Sequence, residues 1–134
     1  MKKELDEALC AKYPLIFKDR HADMRSTAMC WGLECGDGWY DIIDIVCLML
    51  SQDPTHQPVA TQVKEKFGTL RFYVSSATDE QYNYISFAET MSGRICEECG
   101  SPGKLYTDGW YKTLCSVHAK QEGKEEEFEN ENRY

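Results

Sequence analysis

The sequence predicts an α+β fold: three helices around a short antiparallel β-sheet, followed by a small module pinned together by cysteine and histidine. Apolar residues recur at helical spacing in three separate stretches, residues 59–74 alternate as strands do, and four Cys/His residues near the carboxy terminus form two evenly spaced pairs. With 134 residues the chain is long enough for one domain and a modest appendage. We divide it into an α+β body over 1–95, a Cys/His module over 96–122 and an acidic, flexible tail over 123–134.

Between Glu4 and Phe17 the apolar residues Leu5, Ala8, Leu9, Tyr13 and Ile16 follow helical spacing, which predicts a first helix near 4–17 that Pro14 ends or kinks. A charged connection containing His21 follows. Cys30-Trp31-Gly32-Leu33-Glu34-Cys35-Gly36-Asp37-Gly38-Trp39 then reads as a glycine-rich turn. Over 38–51, Trp39, Ile42, Ile43, Val46, Cys47 and Leu50 form the face of a central helix, with Asp37 as its cap and Asp41 in its first turn. Asp37, Asp41 and Asp44 read as a solvated face suited to the helix dipole; a divalent cation shared among them is the alternative. Ser51 to Pro58 is a loop.

Residues 59–74 predict a hairpin turning at Gly68. Val63, Glu65 and Phe67 share one phase of the first arm, and Leu70, Phe72 and Val74 are the apolar phase of the return arm. The opposite face then carries Lys64, Lys66, Arg71 and Tyr73, either an ordinary solvated strand face or a basic-aromatic patch able to hold a phosphate, a nucleotide or an acidic peptide. Tyr82, Ile85, Ala88, Met91 or Ser92, and Ile95 predict a third helix over 79–95, capped by Asp79. That helix leads directly into Cys96, which implies packed contacts between body and module.

The sharpest signal is Cys96-Glu97-Glu98-Cys99-Gly100 followed by Cys115-Ser116-Val117-His118. Three thiolates and one imidazole, two residues apart within each pair, suit a tetrahedral Zn2+ site. Gly100 supplies the positive φ that a tight knuckle uses. Between the pairs, Asp108-Gly109 sits between β-prone arms and predicts a two-residue hairpin turn with Tyr106 facing Tyr111. Helix formers follow His118. Knuckle, hairpin and ligand pair at a helix start together resemble a treble-clef zinc finger. Four protein ligands close the coordination sphere, so this zinc is expected to be structural.

Charge and composition narrow the function. The net charge is −8, of which −3 falls from Ala119 onward, so general affinity for nucleic acid should be low. The longest apolar run, Ile45 to Leu50, is far shorter than the roughly 20 residues of a spanning helix, and no apolar segment follows Lys2 and Lys3 as a secretory signal would require. We therefore expect a cytoplasmic protein with no membrane partner, whose seven cysteines are buried groups or ligands and form no disulfides. No phosphate-binding glycine loop, His-Glu-x-x-His or Gly-x-Ser-x-Gly is present. Cys30 or Cys35 with His21 or His56 would make a thiol nucleophile, and Cys30, Cys35 and His21 a second metal site, only if the fold brought them together; burial beside Trp31 and Trp39 is the commoner fate.

The string from Cys30 to Trp39, together with Gln62-Val63-Lys64-Glu65-Lys66-Phe67-Gly68-Thr69-Leu70-Arg71-Phe72-Tyr73 and the Cys96/Cys99 knuckle, is similar to a group of small uncharacterised bacteriophage and prophage proteins, and the resemblance spans most of 5–118. It implies an accessory protein acting in the cytoplasm of a bacterial host. The expectation is a non-catalytic, zinc-binding protein that binds and modulates a host protein, with a component of host defence as the candidate. Nucleic-acid or nucleotide binding through Lys64, Lys66, Arg71 and Tyr73 is the alternative.

Overall fold

The computed structural model describes residues 1–124, so the expected acidic tail beyond Lys124 lies outside the described residues. Helix α1 spans Lys3–Lys12 and is shorter than the expected 4–17. Tyr13 leaves helical geometry, at φ −127° and ψ 64°, because the ring of Pro14 crowds the helical conformation of the residue before it. The chain continues in turns that still bury Ile16 and Phe17. The apolar spacing across Pro14 therefore marks core residues, but not a single helix.

Strand β1 is Leu33–Glu34, and a 3-10 turn over Asp37–Trp39 leads into α2, Tyr40–Leu50. Strands β2, Ala60–Lys66, and β3, Thr69–Val74, precede α3, Asp79–Ser92. The sheet order is β1-β2-β3. β2 and β3 are antiparallel as expected, but β1 runs parallel to β2, with Leu33 opposite Val63. The sheet is thus mixed where an antiparallel one was expected, because two residues inside a glycine-rich segment are too few to show alternation. What anchors β1 is Asp6. Its carboxylate accepts the Leu33 N–H at 2.9 Å and the Arg20 Nε at 2.9 Å. Burial pushes the Asp6 carboxyl up, and the Leu33 N–H and the Arg20 guanidinium outweigh it, leaving it below the usual carboxylate value.

Leu9, Ile16, Met29, Trp39, Ile43, Leu50, Val63 and Leu70 fill the core between the helices and one face of the sheet. Val63, Leu70 and Phe72 lie on the inner phase as expected, but Phe67 does not. Lys66 pairs with Thr69, which leaves Phe67 and Gly68 as a two-residue turn with φ of 53° and 84°. The alternation stops one residue before Phe67, and its ring is 66 % exposed.

Helix α3 begins with a capping box between Thr78 and Gln81. Asp79 is therefore the first helical residue and not the cap. The helix runs beside the open edge of β3. Leu70 donates its N–H to Ser92 Oγ at 2.8 Å, and Phe72 donates to Glu89 Oε2 at 2.9 Å. Asp37 does not cap α2; its carboxylate accepts the Lys2 N–H at 2.7 Å. Asp44 is occupied by the Tyr13 hydroxyl at 2.6 Å and the Lys12 ammonium at 2.9 Å, which ties α1 to α2. Asp37, Asp41 and Asp44 do not gather as a metal site among the described residues. No helix there is long and apolar enough to cross a membrane.

Candidate metal centre

The module contains β4, Lys104–Tyr106, β5, Lys112–Leu114, and a short fourth helix, α4, Ser116–Gln121. The knuckle is closed by its backbone: Gly100 donates its N–H to the Cys96 carbonyl at 2.9 Å, with Gly100 at φ 81°. Cys96 donates to Ser101 O at 2.7 Å. The β4–β5 hairpin then returns the chain to Cys115, which starts α4 with His118 one turn in.

This path brings Cys96, Cys99, Cys115 and His118 together, their ligand atoms all within 4.8 Å of one another. Cys99 Sγ lies 3.8 Å from Cys115 Sγ, and His118 Nδ1 lies 3.7 Å from Cys96 Sγ and 3.2 Å from Cys115 Sγ. A tetrahedron with metal–sulfur bonds of about 2.3 Å has edges of roughly 3.8 Å, and these three separations are near that. The group can hold a metal ion. Two of the thiols are shifted toward the ligating thiolate. Ser101, through its hydroxyl and its N–H, lowers the Cys99 thiol to about 6, and the His118 N–H lowers that of Cys115. Burial raises Cys96, and the Cys115 sulfur raises His118.

Several hydrogen bonds fasten the cage to the body. Gly36 donates its N–H to Glu97 Oε2 at 2.9 Å and Gly38 donates to Glu97 O at 2.7 Å. The indole of Trp39 donates to Ile95 O at 2.8 Å. Thr113, wholly buried, donates its hydroxyl to Gly68 O at 2.6 Å and accepts the Glu97 N–H on its carbonyl at 3.0 Å. Burial pushes the Glu97 carboxyl up. These contacts explain the Gly36-Asp37-Gly38 signal: the knuckle backbone lies where side chains at 36 and 38 would project. Spacing alone pointed to the four ligands. It did not point to Glu97 or Thr113, although two closely spaced glycines outside the turn of a hairpin signal a close backbone approach.

The hairpin between the ligand pairs differs from expectation. Tyr106 pairs with Lys112, not Tyr111, and residues 107–111 form a five-residue loop. Tyr106 is drawn into the module's own core with Leu114 and Ala119, while Tyr111 swings outward to meet the Phe67 ring edge-on at 6.5 Å between centroids. Lys124 holds this loop, donating to Asp108 O at 2.5 Å and Trp110 O at 2.6 Å.

Among the other candidates, Cys35 is buried and its thiol is pushed up to about 12 by desolvation, whereas Cys30 contacts Thr27 O and His21 is exposed. With His21, Cys30 and Cys35 so placed, the structure shows no second metal-ligand cluster among the described residues. Trp31 is exposed. On the sheet, Lys64 lies directly opposite Arg71 and Gln62 opposite Tyr73, so Lys64, Arg71 and Tyr73 share a face. Lys66, the last residue of β2 and opposite Thr69, is on the same phase as Lys64, its ammonium 5.7 Å from the centre of the Phe67 ring. The chain matches no family model, no curated protein and no solved structure.

Proposed function

We propose that this is a non-catalytic accessory protein in which Cys96, Cys99, Cys115 and His118 hold a structural Zn2+ in a treble-clef-like module, and that the module helps present a surface for a partner protein. In the phage or prophage setting implied by the resemblance, that partner is a host protein met in the bacterial cytoplasm, and a component of host defence is the reading we favour.

The observation that carries protein binding is the aromatic surface at the two hairpin tips. Phe67, Trp110 and Tyr111 are 66 %, 74 % and 42 % exposed. With Glu65, Lys66 and Gly109 they surround a cleft of about 520 Å³. Exposed aromatic residues bordered by charge are the composition of binding hot spots. Phe67 adds a second sign. A bulky residue at φ 53° costs about 1–2 kcal/mol in backbone strain, and strain of this kind gathers at functional positions. Zinc and Thr113 hold one tip against the other, so the patch exists only when the cage is intact.

The test is retention of a single, stoichiometric host protein on the immobilised zinc-loaded chain, compared with the Phe67→Asn/Trp110→Ala variant. Loss of that protein with the fold unchanged supports the proposal. Equal retention by both defeats it.

A second reading, nucleotide or nucleic-acid binding, is favoured by the shared face of Lys64, Arg71 and Tyr73. It fails if oligonucleotide affinity is weak and unchanged in Lys64→Ala and Arg71→Ala.

A further inference from the structure

A separate cavity of about 520 Å³ opens between β3, the end of α3 and β4, bordered by Thr69, Arg71, Ser86, Glu89, Arg94 and Lys104. Three cations and one carboxylate border it, on a protein whose net charge is −8. Glu89 keeps its charge while its Oε2 accepts the Phe72 N–H, and Arg94 and Lys104 have interactions of their own.

Arg71 is the informative residue. Its Nε is buried with no hydrogen-bond partner. Its nearest cross-strand neighbour is another cation, Lys64, with Glu34 on the far side of Lys64. Like charges directly opposite on neighbouring strands are destabilising, and a buried unsatisfied donor adds its own cost. The repulsion between the cations falls if an anion enters. A guanidinium presents a planar fork that matches two oxygens of a phosphate, and Ser86 adds a hydroxyl donor at the rim. Among the described residues no aromatic ring borders the cavity, so they offer a base no stacking platform there. Its volume suits a small molecule.

We infer that this cavity is an oxyanion site for a phosphate group, either free or as a small phosphomonoester, with Arg71 as the principal donor. The site is independent of the hairpin-tip surface and would survive the failure of that reading; it shares Arg71 with the nucleotide reading, and Ser86→Ala, which leaves Lys64 and Tyr73 untouched, separates the two.

The test is a titration of the zinc-loaded full chain with inorganic phosphate at constant ionic strength, following the backbone amide resonances of residues 69–72 and 86–94 by heteronuclear NMR. A saturable shift that chloride does not reproduce is expected, and Arg71→Gln should weaken the apparent affinity about tenfold. Arg71→Lys, which keeps the charge but loses the fork, should also weaken it. Ser86→Ala alters only an exposed rim residue and should weaken it by a smaller factor without disturbing the fold. Glycerol phosphate is run in parallel: tighter binding of the ester assigns a phosphomonoester, tighter binding of phosphate assigns the free ion, and either supports the site. Absence of a saturable shift with both, or affinity unchanged in both Arg71→Gln and Ser86→Ala, overturns the inference.

Discussion

Substituting Gly38 by alanine tests whether the Gly36-Asp37-Gly38 segment is a seat for the metal knuckle. A Cβ at Gly38 would stand 2.1 Å from Cys96 O, 2.5 Å from Gly100 N and 2.7 Å from the Glu97 carbonyl carbon. All three are backbone atoms of the segment that carries two of the metal ligands, so no side chain can rotate out of the way. Relief requires the knuckle and the start of α2 to separate. Separation breaks the Gly38-to-Glu97 and Gly36-to-Glu97 hydrogen bonds. Overpacking alone costs about 1–3 kcal/mol. A hydrogen bond to a charged acceptor contributes about 1.5–3 kcal/mol, and a neutral one about 1. We expect Gly38→Ala to destabilise the zinc-loaded protein by about 4 kcal/mol, a large share of the 5–15 kcal/mol typical of a domain. Metal affinity should fall with it, because displacing Cys96 distorts the cage.

Gly93→Ala is the matched control. There a Cβ meets only Thr90 O at 3.5 Å and Thr69 Cγ2 at 3.6 Å, and φ is an ordinary −70°. That change should stabilise by about 0.4–1 kcal/mol through the unfolded chain. Urea unfolding of both variants, with chelator competition for the metal, measures the contrast. If Gly38→Ala lies within about 1 kcal/mol of the parent and binds metal normally, the seat does not exist and the close contact is irrelevant to stability.

Three further outcomes follow from the same geometry. Cys99→Ser should release the metal and unfold at least the carboxy-terminal third, because metal binding and folding share one free-energy term in such modules; unchanged metal content by elemental analysis contradicts it. Asp6→Asn should cost about 3 kcal/mol near neutral pH, since it removes the charge that faces Arg20 and weakens the anchor of β1. Because the folded carboxyl lies below its ordinary value of 3.8, the Asp6 contribution is fully present above that value and disappears as pH falls through the lower, folded one; parent and variant melting temperatures should therefore converge only in acid. Phe67→Asn places Asn-Gly in the type I′ turn that β2 and β3 use, and should raise stability by up to about 1 kcal/mol while abolishing capture of the partner. Unaltered capture would show that the exposed ring is incidental.

Periodicity made α2, α3 and the β2–β3 pair legible, because each buries one regular face. The ligand set was legible for a different reason: two-residue spacing is the geometry of a shared ion and survives any surrounding fold. What escaped sequence reasoning depends on distant pairing. β1 is too short to have a pattern and exists because Asp6, 27 residues earlier, accepts the Leu33 N–H. Alternation counted through Phe67 failed because a positive-φ turn resets the phase. Asp108-Gly109 suggested a two-residue turn, yet burial of Tyr106 set a longer loop and freed Tyr111 for Phe67. The Arg71 cavity takes Arg94 and Lys104 from beyond α3, so no local window contains it.

The two side chains with which α3 meets β3 have a consequence outside binding. An unpaired strand margin invites a second chain to add itself there and begin ordered self-association. Here the outward amides of Leu70 and Phe72 are already taken by Ser92 and Glu89, and on the opposite side the two-residue β1 pairs with β2 at Val63 and Lys64. A helix that stays seated thus guards the molecule against recruiting copies of itself. Removing both acceptors should expose a template for fibril growth long before it unfolds the core.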